Sequence, residues 1–173
     1  MKNPIWDVVK FKKRDESTTI NKALKSVPIF SDLKQKELDE IAKIIHRRTY
    51  KAGEPVFRMG DPGLGMYIII SGSVAIIEDL KEEKHHIVDL VAGTFFGDLA
   101  LLDESPRSAS AIANEDCDIL GFFRPDLMDI LYRTPKTGIK IVFALAKIVG
   151  ERLRRTNLQM TELQKKVEES SRG

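Results

Sequence analysis

Phe96-Gly97-Asp98-Leu99-Ala100-Leu101-Leu102-Asp103-Glu104-Ser105-Pro106-Arg107-Ser108-Ala109-Ser110 is the stretch on which the reading of this chain turns. A glycine, a carboxylate and a short helix-forming run stand ahead of one arginine introduced by a proline. Glycine lets backbone come close to an anion. Free N–H groups at the start of a short helix can point at a phosphate. Arg107 can fork onto two phosphate oxygens, which a lysine cannot do. Asp98 is left to accept a hydrogen bond from a ribose hydroxyl. Together these are the parts needed to hold a sugar phosphate. In isolation the same residues also describe a turn, a helix N-cap and a surface cation, so the rest of the chain has to decide.

The flanks on both sides are built from short strands. From Arg47 to Phe123, runs rich in Val, Ile, Tyr and Phe alternate with Gly and Pro turn signals. Strands are expected at Met66–Ile70, Val74–Glu78, His86–Leu90, Ser108–Ala113 and Asp118–Phe123. Turns fall at Lys51-Ala52-Gly53, Asp61-Pro62-Gly63 and Ser71-Gly72, with a polar hairpin tip at Lys81-Glu82-Glu83-Lys84. Many short strands at regular spacing predict a small barrel or roll.

Helices bracket this region. Ile20 to Lys25 reads as one or two turns closed by Val27-Pro28. A helix is expected from about Lys34 to His46, with Leu38, Ile41, Ala42 and Ile45 on one face. After Phe123, Pro125 to Tyr132 forms a short helix that Thr134-Pro135 breaks. A long helix then runs from about Lys136 to about Glu169. Along it Val142, Ala146, Val149, Leu153, Thr156, Met160, Leu163 and Val167 recur at spacings of 4 and 3, an unbroken heptad seam with one polar member. Charged flanks and the seam predict a two-stranded coiled coil and a homodimer through residues 142–167, although Ala146 and Gly150 make it a modest one.

Composition narrows the class. The 173 residues suffice for one well-cored domain and an extension. Hydrophobic content of 42% and charged content of 31% describe a globular protein, and a net charge of +2 exerts no general pull on nucleic acid or acidic membrane. No apolar run is long enough to span a bilayer, so no membrane insertion is expected. Met1 to Arg14 lacks the apolar core of a signal peptide. Residues 1–18 read as a polar arm on which Trp6, Val8, Val9 and Phe11 offer a docking patch. The single Cys117 cannot form an internal disulfide and reads as a buried strand residue, which fits a cytoplasmic location.

Other reactive groups do not assemble. His85 and His86 are adjacent in a strand and point to opposite faces. His46 is expected at a helix end, where a cation suits the dipole. No metal site is expected. Asp103 and Glu104 are expected to cap the short helix or face solvent. No nucleophile–base arrangement appears, so an enzyme is not expected. The Arg152-Leu153-Arg154-Arg155 run reads as a solvated flank of the coil.

The opening stretch resembles the phosphate-binding cassette of the cyclic nucleotide-binding domain family, which typically reads Phe-Gly-Glu-Leu-Ala-Leu, a short linker, then Pro-Arg-Ser/Ala/Thr-Ala. The spacing here matches without a gap. The cadence Gly53-Glu54, Gly60-Asp61, Tyr67-Ile68-Ile69, Gly72, Gly93, Phe96-Gly97 is similar to the family's β-roll, and the resemblance covers roughly residues 27–157. It implies an α+β fold: an antiparallel, jelly-roll-like β-roll at about 47–123, flanked by N-terminal helices and a long C-terminal helix. The domain would occupy residues 19–157, with helices from 125, and a coiled-coil extension would follow at 158–173. The family carries phosphate and ribose on positions that are Phe96, Gly97, Asp98, Leu99, Ala100, Arg107, Ser108 and Ala109 here. Thr156 and Asn157 match a base-contacting segment on the dimer helix of catabolite activator-type regulators.

One departure is plain: Asp98 stands where the family has glutamate, which shortens its reach by about 1.3–1.5 Å, one C–C bond. The expected ligand is cAMP in preference to cGMP, with no other cofactor. Occupancy would shift Leu99, Leu101 and Leu102 against Phe122, Leu127 and Leu131 and move the long helix. The signal would pass to a downstream protein. No helix-turn-helix pattern follows residue 157, so direct DNA binding is not expected. The competing expectation is a dimeric interaction module that has lost its ligand.

Overall fold

The structure is a computed structural model, and it describes residues 18–80 and 83–170. The arm with Trp6, Val8, Val9 and Phe11, and Lys81 and Glu82 at the hairpin tip, lie outside the described residues.

Three short segments open the described chain: α1 over residues 18–26, a 3₁₀ turn at Pro28–Phe30, and α2 at Gln35–Ile44. At the head of α2, the backbone N–H of Lys34 donates to Glu37 Oε2 at 2.7 Å and closes the first turn. The helix ends earlier than its periodicity suggests. Ile45 already has an extended backbone, and His46 is the first residue of β1 (His46–Tyr50). His46 therefore caps no helix C-terminus. Its Nε2 lies 3.6 Å from Asp126 Oδ2 instead.

The roll is two four-stranded antiparallel sheets. One has the order β1, β8 (Cys117–Phe123), β3 (Gly65–Ser71), β6 (Phe95–Phe96). The other has the order β2 (Pro55–Phe57), β7 (Ser110–Ala113), β4 (Ser73–Leu80), β5 (Glu83–Val91). The strand β2 hides in the turn-rich stretch between Gly53 and Gly60, and sequence reading assigns it no strand.

The apolar run of β3 is continuous because both its faces are covered. Alternate side chains point to opposite sides of a strand. Tyr67 and Ile69 enter the core between the sheets with Val74, Phe96, Ala111 and Ile119. Met66 and Ile68 face the other way and meet the helices through Phe30, Leu38, Leu127, Ile141 and Leu145. Cys117 is buried between the sheets, its thiol pKa raised by that burial.

Two helices follow the roll: α3 at Arg124–Arg133 and α4 at Pro135–Ser170. The start of α4 is tied to α2. Glu37 Oε1 accepts from Thr137 Oγ1 at 3.0 Å and from Lys140 Nζ at 2.8 Å. The Lys140 bond, seconded by the Lys34 N–H, holds the Glu37 carboxyl down to about 2. No helix among the described residues is long and apolar enough to cross a membrane.

Candidate functional site

The opening stretch wraps one mouth of the roll. Phe95 and Phe96 form β6, and Gly97 then turns the chain in the left-handed region at φ 72°. A side chain at Gly97 would be strained there, and its Cβ would sit 2.7 Å from Arg107 Nη1. Asp98–Leu101 form a single 3₁₀ turn. The N–H of Ala100 donates to Gly97 O at 3.2 Å, so it belongs to the turn's own bonding. The N–H groups of Asp98 and Leu99, ahead of that bond, are the ones the turn leaves open.

Arg107 returns beneath this turn. Its backbone N–H donates to Asp61 O, and its carbonyl accepts from Gly60 N, each at 2.9 Å. Its side chain is 8% exposed. Nη1 donates to Gly97 O at 3.1 Å and Nη2 to Gly65 O at 2.6 Å. Nε is buried with no partner. Burial lowers the guanidinium pKa from its ordinary value, and Tyr67 and Asp61 pull the other way. An arginine remains charged through such a shift. Arg107 makes no ion pair among the described residues, and its guanidinium is met by carbonyl dipoles and aromatic rings.

Asp98 is 2% exposed and does have a cation. Arg152, about two turns beyond Leu145, the last buried residue of α4, places Nη1 2.8 Å from Asp98 Oδ1 and 2.9 Å from Oδ2. Its guanidinium also lies 5.6 Å from the Phe95 ring centroid. The pair uses part of the carboxylate's acceptor capacity and leaves lone pairs for a hydroxyl donor.

These groups share one cavity of about 420 Å³, within the usual size of small-molecule sites. All eight residues that the sequence places at phosphate and ribose, from Phe96 to Ala100 and from Arg107 to Ala109, line it. Phe57, Ile76, Leu90 and Phe95 give it an apolar side, and Arg152 closes it. The wall thus offers cations, a carboxylate and open N–H donors together with apolar surface.

Some expected residues are elsewhere. Thr156 and Asn157 are exposed on α4 and do not line the cavity. Leu101 is buried with Phe122 and Leu127, whereas Leu99 and Leu102 are exposed. Asp103 caps the following turn, accepting from Ser105 N at 3.3 Å and Ser105 Oγ at 3.0 Å. Glu104 faces solvent, as expected, and also pairs with Arg124 Nη1 at 2.6 Å, joining the loop to the start of α3. His86 Nε2 lies 2.9 Å from Asp89 Oδ1. No cluster of three metal-ligating side chains occurs among the described residues.

Sequence reasoning did not place Arg152, Phe57, Ile76, Leu90 or Phe95 at the site. Arg152 read as a coil flank, although its place one helical turn before Thr156 puts it on the same face. Phe57 carried no signal beyond its apolar character.

Fold and cavity together define a two-sheet roll that buries an arginine and a carboxylate beside an open backbone turn, under a long helix. The family model of the cyclic nucleotide-binding domain matches residues 47–134. The chain belongs to that family. It is 35% identical over 138 residues to the cyclic AMP receptor protein of Thermus thermophilus, covering 79% of this chain and 62% of that protein. It is 40% identical over 88 residues to the cAMP-dependent protein kinase regulatory subunit of Blastocladiella emersonii, covering 50% of this chain and 22% of that subunit. The crystal structure of the Thermus thermophilus catabolite activator protein superposes with a TM-score of 0.71 at 34% identity, over 80% of this chain and 63% of that chain. The chain therefore spans less than two thirds of each of these relatives.

Proposed function

We propose that this chain is a regulatory cyclic nucleotide sensor that binds cAMP, in preference to cGMP, in the cavity beside Arg107. The observation that carries the reading is the state of Arg107: a buried cation with no ion pair, on the wall of a cavity whose open N–H groups also seek an anion. Leaving such a charge unpaired is costly, and a cyclic phosphate supplies the missing partner. Asp98 accepts the ribose hydroxyl, with its carboxylate steadied by Arg152. The names of the Thermus receptor and the kinase regulatory subunit favour cAMP.

Arg152 gives the binding event a route to α4, because ligand at Asp98 meets the one side chain that reaches the cavity from that helix. The shift is bounded by the ligand's differential affinity for the two helix positions. The seam from Val142 to Val167 pairs with a second copy, and Thr156 lies on that seam one turn past Arg152. Pairing there brings Thr156 and Asn157 toward the base. A downstream protein reads the helix.

Thermal unfolding with cAMP, cGMP and 5′-AMP tests this. Ligand at a hundred times Kd adds about 2.7 kcal/mol of stability, and cAMP is expected to raise the midpoint by several degrees while 5′-AMP does not. Arg107→Ala is expected to stay folded and lose the shift. An Arg107→Ala protein with undiminished affinity would overturn the site. No shift with either cyclic nucleotide would favour a ligand-free interaction module, in which the Asp98–Arg152 pair only fastens the helix.

A further inference from the structure

The arginine that faces the cavity is held from a side that the phosphate reading leaves out. Its two η nitrogens are fixed on the carbonyls of Gly97 and Gly65. Two anchor points define a line, and a planar group can still tilt about it. The third contact comes from Phe57 on β2: Arg107 Cζ lies over its ring, 4.1 Å from the centroid. The next ring, Tyr67, is 5.8 Å away.

The Phe57 ring is itself immobilised. It sits 5.7 Å from Tyr67 and 5.8 Å from Phe96, centroid to centroid, in the core between the sheets. The residue also forms part of the cavity wall. A cation that makes no ion pair among the described residues is attracted to the negative face of an aromatic ring, more strongly when water is excluded. An aliphatic side chain of similar size would fill the space without that attraction.

Resting on the reading of this cavity as a cyclic nucleotide site, we propose that Phe57 is the positioning residue for Arg107. Stacking sets the tilt of the guanidinium plane, and hence the direction in which its remaining N–H groups meet the phosphate. Phe57 acts through Arg107 and not by touching the phosphate.

The test compares Phe57→Leu, which keeps apolar bulk, with Phe57→Tyr, which keeps the ring face. Calorimetric titration with cAMP, well below the unfolding temperature, is expected to show a roughly 3- to 30-fold loss of affinity for Phe57→Leu. Phe57→Tyr is expected to restore affinity to within about twofold of the parent. A second readout needs no ligand. Nitrogen-15 NMR of the arginine side chains is expected to show hindered rotation of the Arg107 guanidinium in the parent and in Phe57→Tyr, and averaged signals in Phe57→Leu. Arg107→Lys assigns the resonance by removing it. Retained cAMP affinity with an unchanged guanidinium spectrum in Phe57→Leu would overturn the role of Phe57 and leave the site reading standing. A parent protein that binds neither cyclic nucleotide would overturn the site reading, and this proposal with it.

Discussion

The two halves of α4 are one continuous helix with one continuous seam, yet they meet different fates. In the first half Thr137, Gly138, Ile141 and Leu145 are buried against α3 and the helices beneath the roll. From residue 151 onward every described position is exposed. Leu153, Met160, Leu163 and Val167 are as apolar as their counterparts but 56–65% exposed. An apolar stripe is thus not enough to dock a helix. The first half docks because it brings matching shape and charge. Gly138 admits Leu131 so closely that a Cβ would come within 2.7 Å of Leu131 Cδ2 and 2.9 Å of its Cα. Glu37 grips Thr137 and Lys140 from α2. The buried face, Ile141 and Leu145, is offset from the seam, which begins at Val142. Val142 packs partly against that core and Val149 is half-buried, so the seam is exposed without interruption only from Leu153 onward, and Arg152 stands where the two halves meet.

Substitutions that strike the halves separately can break this contrast. The largest effect is expected from Leu145→Ala in the docked half. It removes a fully buried side chain and should cost about 2–5 kcal/mol in denaturant unfolding. Leu158→Ala, 67% exposed in the other half, should stay within about 0.5 kcal/mol. Equal costs would mean that the second half is buried too.

The clamp on the docked half is expected to titrate. Glu37 has a folded pKa of about 2 against 4.5 for the free group. Its contribution is therefore complete above about pH 4.5 and is lost as pH falls toward 2. The parent should lose about 1 kcal/mol more than Glu37→Gln across that window, the scale of a partly exposed ion pair. Parallel stability curves for the two proteins would show that the clamp contributes nothing.

The smallest effect on the domain itself is expected from Leu153→Asp with Met160→Asp. Once self-association is allowed for, stability should change by about 0.5 kcal/mol or less. Light scattering should nevertheless give the mass of a monomer where the parent gives a dimer. A double variant that stays dimeric would place the contact between copies elsewhere.

Much of the fold was legible because its signals are local. Glycine and proline punctuation marks the strands, the 3.6-residue period marks the helices, and the cassette announces itself by residue type at fixed offsets. The misses have physical causes. His46 continues the polar face of α2 by periodicity, yet the chain straightens at Ile45 so that β1 can pair with β8. The strand β2 is three residues long, too short for alternation to show, and it owes its form to pairing with β7. Asp98 reads as a carboxylate waiting for a hydroxyl, and nothing near it in sequence announces the cation that reaches it.

What the sequence by itself determined is a roll bracketed by helices, the cassette and the apolar seam. Each depends on residues close together along the chain, where spacing is geometry. Only the tertiary structure decided which half of α4 is docked, that Arg152 closes on Asp98 across 54 positions, and that Phe57 lies against Arg107. Those contacts join residues from separate elements. Packing sets their distances, and a linear pattern does not record which distant side chains packing will bring together.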